Sequence, residues 1–162
     1  MIKFIFKLSI RFGLLGSAIV RIKKVNIENY KCFNGKFSIE FNDGVNVLVG
    51  NNESGKSTIL EAVNLALTGV VGEKYLKNNL SQYLFDFNVV NDYLSSLESG
   101  ENPHLPIITI EVFFDDDNPV FEGNWNSDKE KGCGVVLKIE FDDDYLSEYE
   151  NIGSVEILIL VI

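Results

Sequence analysis

The sequence has 162 residues, 46% hydrophobic, 23% charged and 12% aromatic, a composition that suits one globular domain and excludes a disordered or collagen-like chain. Its net charge is −10, spread unevenly: residues 1–40 carry +6, 41–80 carry −1 and 81–162 carry −15. The acidic second half repels a polyanion, so any contact with nucleic acid has to come from the basic N-terminal segment, from a metal, or from protein outside this chain.

Residues 1–20 are expected to be an N-terminal extension or an added strand. Lys3, Lys7 and Arg11 precede an uncharged run from Phe12 to Val20, which resembles a weak signal peptide but is too short for the roughly 20 apolar residues of a membrane span. The loose alternation from Ile22 to Ile27 predicts a strand, Asn34-Gly35 a turn, and Gly35 to Phe41 a second strand with Phe37, Ile39 and Phe41 on one face. After a turn at Asn42-Asp43-Gly44, the run Val45 to Val49 predicts a strand buried on both faces. From Lys56, apolar Ile59, Leu60, Val63, Ala66 and Leu67 recur at helical spacing, with Gly69 placed to cap the helix.

Residues 72–100 carry mixed signals, with helical hints from Tyr75 to Phe87 weakened by Asn78, Asn79 and Asn88. Leu105–Phe114 and Gly134–Phe141 are rich in strand formers, and each runs into three aspartates, Asp115–Asp117 and Asp142–Asp144. The segment between them, 115–133, has the composition of a long polar loop. The tail ends on six consecutive apolar residues, 157–162, which suggests that the domain is incomplete.

The chemistry lies in residues 50–57, Gly50-Asn51-Asn52-Glu53-Ser54-Gly55-Lys56-Ser57, which match the phosphate-loop pattern G-x-x-x-x-G-K-[ST]. Gly50 and Gly55 allow backbone angles that turn successive N–H groups inward, Lys56 offers a point charge to the terminal phosphates, and the Ser57 hydroxyl is the candidate Mg²⁺ ligand. The following helix aims its N-terminal partial charge at the same anion. Context sharpens the match, because the loop sits between a strand and an amphipathic helix. The candidate nucleotide site is therefore Gly50, Asn51, Asn52, Glu53, Ser54, Gly55, Lys56, Ser57 and the adjoining Thr58, with ATP and Mg²⁺ as cofactors.

The segment Arg21–Leu67 resembles the opening of the RecF, SMC and OLD-nuclease branch of ABC-type ATPases. The resemblance rests on Asn29-Tyr30-Lys31-Cys32-Phe33 at the end of the first strand, the phosphate loop, and the helix start Ser57-Thr58-Ile59-Leu60-Glu61-Ala62. It implies a contact from Asn52 to the terminal phosphate and a place for Lys31 near the nucleotide. Glu53 departs from the small residue of SMC and RecF loops, and the form G-x-N-[ED]-S-G-K-S looks more like OLD-family ATPases, which carry a Toprim nuclease domain after the ATPase. The implied fold is α/β, a P-loop NTPase: the N-terminal lobe of an ABC-type ATPase head over residues 21–162, with a mixed sheet and an antiparallel β layer.

The implied function is Mg-ATP binding within a cytoplasmic DNA-processing ATPase, endonuclease-like or in DNA repair. Such an ATPase is expected to form a homodimer, to reach DNA through other domains or partner subunits, and to have no membrane contact. Hydrolysis on this architecture also needs a metal-holding acid, a general base and a signature loop from a second subunit. No signature loop is visible, and Asp115 or Asp116 after the Ile107–Phe114 run is only a superficial match for the acid, since Glu111 interrupts the run. That run reads better as a strand of the antiparallel layer. The rival function is non-catalytic: a fragment, or an interaction module that binds nucleotide to switch shape. Asp142–Asp144 read as a solvated turn, His104 as a loop residue and Trp125 as core. Cys32 and Cys133 read as reduced thiols with no zinc partners.

Overall fold

A computed structural model describes residues 2–6, 9–11, 19–115, 122–124, 126–129, 131–141 and 159–161. Two short strands, β1 (Ile2–Phe6) and β2 (Ser9–Arg11), precede the long β3 (Ile19–Glu28). The loose alternation of β3 has a physical cause. Its register against a later strand shifts between Ile22 and Lys24, so Lys23 is the extra residue of a β-bulge, and Val20 and Ile22 before it and Val25 and Ile27 after it are all buried. β4 (Lys36–Glu40) follows, with Phe37 and Ile39 turned toward the core.

β5 (Asn46–Gly50) leads into the phosphate loop and helix α1 (Lys56–Thr68). Gly69 caps α1 in the left-handed conformation at φ 68°, its N–H donating to Leu65 O, as the glycine signal predicts. A two-residue hairpin pairs β6 (Val70–Val71) with β7 (Lys74–Tyr75), and two 3₁₀ turns lead to α2 (Phe87–Glu98). The start of α2 is set by Asp86, whose carboxylate accepts from the N–H groups of Asn88 and Val89. That cap lay inside the segment of mixed signals.

The strands β8 (Ile108–Phe114), β9 (Glu122–Gly123), β10 (Gly132–Phe141) and β11 (Ile159–Val161) complete the chain. The main sheet runs β11-β10-β8-β3-β2, with β4 also on β3 and β9 on β10. Every ladder among the described residues is antiparallel. The α/β class and the antiparallel layer are present, whereas no parallel pair makes the sheet mixed among the described residues. β5, the strand that leads into the loop, pairs only with β1 among the described residues.

β5 is also buried on one side only. Val45, Val47 and Val49 are 64%, 45% and 50% exposed while Leu48 packs on the core. The continuous apolar run led the sequence reading to two buried faces, but no described element covers the valine side. The segment 115–133 is more structured than a polar loop, since it contains β9 and a turn at 126–129 that is held to the sheet. Helix α1 lies across β3, β8 and β10, burying Ile59, Ala62, Val63 and Leu65 against Ile108, Ile110, Val112 and Ile139. Among the described residues no helix is long and apolar enough to cross a membrane.

Candidate nucleotide site

The phosphate loop is built from two different glycine requirements. Gly55 has φ 82° and Glu53 has φ 67°, so left-handed residues alternate with ordinary ones just before α1, a backbone pattern that turns N–H groups into one concavity. A Cβ on Gly55 would lie 2.8 Å from Phe33 Cζ and 3.0 Å from Cys32 Sγ. Gly50 needs no positive φ but allows close approach, because a Cβ there would lie 2.4 Å from Ser54 Oγ. Glu53 takes a left-handed angle without glycine's freedom, at a cost of roughly 1–2 kcal/mol.

Lys56 is buried, at 7% exposure. Its ammonium donates to Gly50 O at 3.1 Å, Asn51 O at 2.5 Å and Ser54 Oγ at 3.0 Å, which brings the charge under the loop. Burial without these three acceptors would be costly. Ser57 is exposed in the first turn of α1. A cavity of about 380 Å³ is lined by Asn52, Glu53, Ser54, Gly55, Lys56, Ser57, Thr58 and Cys32, a volume in the range of small-ligand sites. Gly50 and Asn51 close the loop from below through their carbonyls on Lys56.

Cys32 was read as a plain reduced thiol, yet it forms a wall of this cavity. It is exposed and its thiol donates to Thr58 Oγ1 at 3.7 Å. The turn that carries it is fixed from several sides. Asn29 and Lys31 both have positive φ, 58° and 52°. The Asn29 side chain donates to Ile107 O and accepts from Gly35 N, and Lys31 N–H donates to Leu84 O.

The structure places the Lys31 ammonium on Glu61 of α1, whose Oε1 also accepts from the Tyr30 hydroxyl at 3.0 Å. Tyr30 is fully buried, and its hydroxyl is held well above the usual phenol range by burial first and by the Glu61 carboxylate second. Glu61 was quoted from the sequence only as part of the helix start. Its partners come from a turn some 30 residues earlier, so no local pattern announced it.

The superficial acid match fails on topology. β8 pairs antiparallel with β3, Thr109 opposite Glu28 and Phe114 opposite Ile22. Cys32, on the cavity wall, follows the Glu28 end of β3, whereas Asp115 N–H bonds to Arg21 O at the other end. Six residues at about 3.4 Å each put Asp115 roughly 20 Å along the strand from Thr109. Asp116, Asp142–Asp144 and Trp125 lie outside the described residues, and His104 is exposed in the loop before β8. Among the described residues no group of three or more His, Cys, Asp or Glu side chains could hold a metal.

Glu111, which interrupts the β8 run, is buried and satisfied. It accepts from Asn26 Nδ2 at 2.7 Å, Ser127 N at 2.6 Å and Ser127 Oγ at 2.7 Å. Beside it, Lys24 and Lys36 both donate to Asp128, at 2.8 and 2.6 Å. This cluster fastens the 126–129 turn onto the sheet and takes no part in the cavity.

A family model described as an AAA domain matches residues 24–153, which is most of the chain and includes the loop, α1 and the strands β4, β5, β8 and β10. The chain belongs to the AAA domain family. Similar proteins include the DNA double-strand break repair Rad50 ATPase of Methanopyrus kandleri, 52% identical over 46 residues, which are 28% of this chain and 5% of that protein. The chromosome partition protein Smc of Fusobacterium nucleatum is 46% identical over 57 residues, 35% of this chain and 4% of that protein. The DNA replication and repair protein RecF of Clostridioides difficile is 34% identical over 83 residues, 51% of this chain and 20% of that protein. The matches thus span a fifth or less of each relative's own length. The family assignment and these relatives agree with the SMC- and RecF-like part of the sequence resemblance.

Proposed function

We propose that this AAA domain binds Mg-ATP at the Gly50–Ser57 loop as the N-terminal part of a DNA-processing ATPase. The observation that carries the reading is the cavity itself: the positive-φ Gly55, a buried Lys56 beneath the loop and the start of α1 all converge on one concavity. These residues suit a triphosphate. The loop N–H groups and Lys56 would hold the phosphates, Asn52 would contact the terminal phosphate, and the exposed Ser57 hydroxyl would ligate the metal. Bound Mg²⁺ would supply charge neutralisation at the phosphates.

Binding and hydrolysis separate in this reading. Asp115 lies at the end of β8 away from the loop, so turnover would draw on a second subunit, in keeping with a homodimer, or on further domains. DNA contact would come from the same sources, because residues 81–162 carry −15. Within this class the finer reading is an OLD-like, endonuclease-type ATPase, supported by Glu53 in the loop. RecF- and SMC-type repair is the alternative, favoured by the names of the similar proteins. A Toprim-type nuclease domain encoded after this segment supports the first, and a long coiled coil overturns it.

Titration calorimetry on Lys56→Ala tests the binding reading. Loss of a charge-assisted contact of about 1.5–3 kcal/mol weakens Mg-ATP binding roughly ten- to hundredfold. Equal affinity in the folded variant and the wild type would refute it.

A further inference from the structure

Lys56 sits beneath the loop and Lys31 immediately precedes Cys32 of the cavity wall, and each is held by acceptors of the chain itself: Lys56 by loop oxygens, and Lys31 by Glu61. We propose that Glu61 is a positioning residue for nucleotide binding, an internal counter-ion that competes with the bound triphosphate for the Lys31 ammonium. This rests on the nucleotide reading above.

Geometry restricts what can move. Lys31 N–H is fixed on Leu84 O at 2.8 Å, and Tyr30 before it is fully buried, so the backbone of the turn is pinned and the freedom of Lys31 lies in its side chain. The next residue, Cys32, is already a cavity wall. Glu61 lies four residues after Ser57, about 6 Å and just over one turn along the same face of α1. The four-carbon stem of Lys31 can therefore swing between the carboxylate and the loop.

The Lys31–Glu61 contact suits exchange. The two side chains are 34% and 30% exposed, so the pair is partly solvated and holds its cation weakly. A triphosphate with its multiple charges outcompetes one carboxylate for that ammonium. When Lys31 leaves, Glu61 keeps the Tyr30 hydroxyl on Oε1, so the carboxylate is not stranded. A staple that merely tied the turn to α1 would act with the opposite sign, since breaking it would loosen the cavity wall.

The test is a double-mutant cycle on Mg-ATP affinity by calorimetry, using wild type, Glu61→Gln, Lys31→Met and the double variant, each checked by thermal melting. Gln keeps an acceptor for Tyr30 but gives up the charge. Glu61→Gln is expected to tighten Mg-ATP roughly two- to fivefold, Lys31→Met to weaken it by a similar factor, and Glu61→Gln to change little once Lys31 is Met. No change or weaker binding in folded Glu61→Gln overturns the proposal, and so does a tightening that persists undiminished in the Lys31→Met background, which would be bulk charge alone. If the Gln variant does not fold, Glu61→Asp draws the carboxylate back by one methylene and is expected to tighten binding as well; unchanged or weaker binding there overturns the proposal. A wild type that binds no better than Lys56→Ala overturns the nucleotide reading itself, a separate result from failure of the cycle.

Discussion

Gly50→Ala and Gly55→Ala remove one hydrogen each, yet the structure predicts different defects. At Gly55 the new methyl carbon lies 2.8 Å from Phe33 Cζ and 3.0 Å from Cys32 Sγ, with φ at 82°. Overpacking costs about 1–3 kcal/mol, and the left-handed angle adds roughly 1–2 kcal/mol for any residue with a Cβ. The sum, about 2–5 kcal/mol, corresponds to a fall in Tm of roughly 4–20 °C for a chain of this size.

At Gly50 φ is not positive, and the nearest obstacle is Ser54 Oγ at 2.4 Å, with Ser54 Cβ behind it at 3.1 Å. Only the packing cost applies, about 1–3 kcal/mol, and most of it is relieved by removing the hydroxyl. Gly50→Ala is therefore rescued in the Gly50→Ala, Ser54→Ala double variant. Gly55→Ala paired with Cys32→Ala stays destabilised, because the angle and Phe33 remain. Urea denaturation of these four variants, with Ser54→Ala and Cys32→Ala alone as references, measures both couplings. A fully restored Gly55→Ala, Cys32→Ala variant, or no coupling between positions 50 and 54, would refute this account of the loop.

Two further predictions concern acid stability and turnover. Hydrogen bonds from Lys24 and then Lys36 hold the Asp128 carboxyl at about 2, below its ordinary 3.8. Its contribution is thus complete above pH 3.8 and disappears as pH falls through about 2. Melting from pH 5 to pH 2 should show Asp128→Asn less stable at pH 5 and converging on wild type at the acid end, and a gap that widens toward low pH contradicts this sign. For turnover, the purified chain with Mg-ATP, with or without duplex DNA, should hydrolyse no faster than its Lys56→Ala variant. A rate of about one per second or more, abolished by Asp115→Asn with binding intact, would show that the placement of Asp115 away from the loop is wrong.

The loop was legible because its requirements are local. Glycines at positions 50 and 55, the lysine after the second and the helix periodicity from Ile59 all follow from neighbouring residues, as does the Gly69 cap. β8 is legible as a strand for a similar reason: its β-branched run cannot sit comfortably in a helix. α2 is hidden in the sequence although its Asp86 cap is local, because Asn88 and Asn91 dilute its apolar spacing.

Tertiary structure alone decided the remainder. The bulge at Lys23 is visible only against the register of β8, and it reconciles a broken alternation with a buried face. The cavity wall at Cys32 and the Tyr30–Glu61–Lys31 cluster bring together groups some 30 residues apart. The exposed valine side of β5 and the distance of Asp115 from the loop depend on which strands pair with which. A residue's own neighbours along the chain set its backbone angles and its period, so loops and helices announce themselves. Which face is covered and which charge meets which depend on strand pairing, and that is fixed by burial summed over the whole sheet.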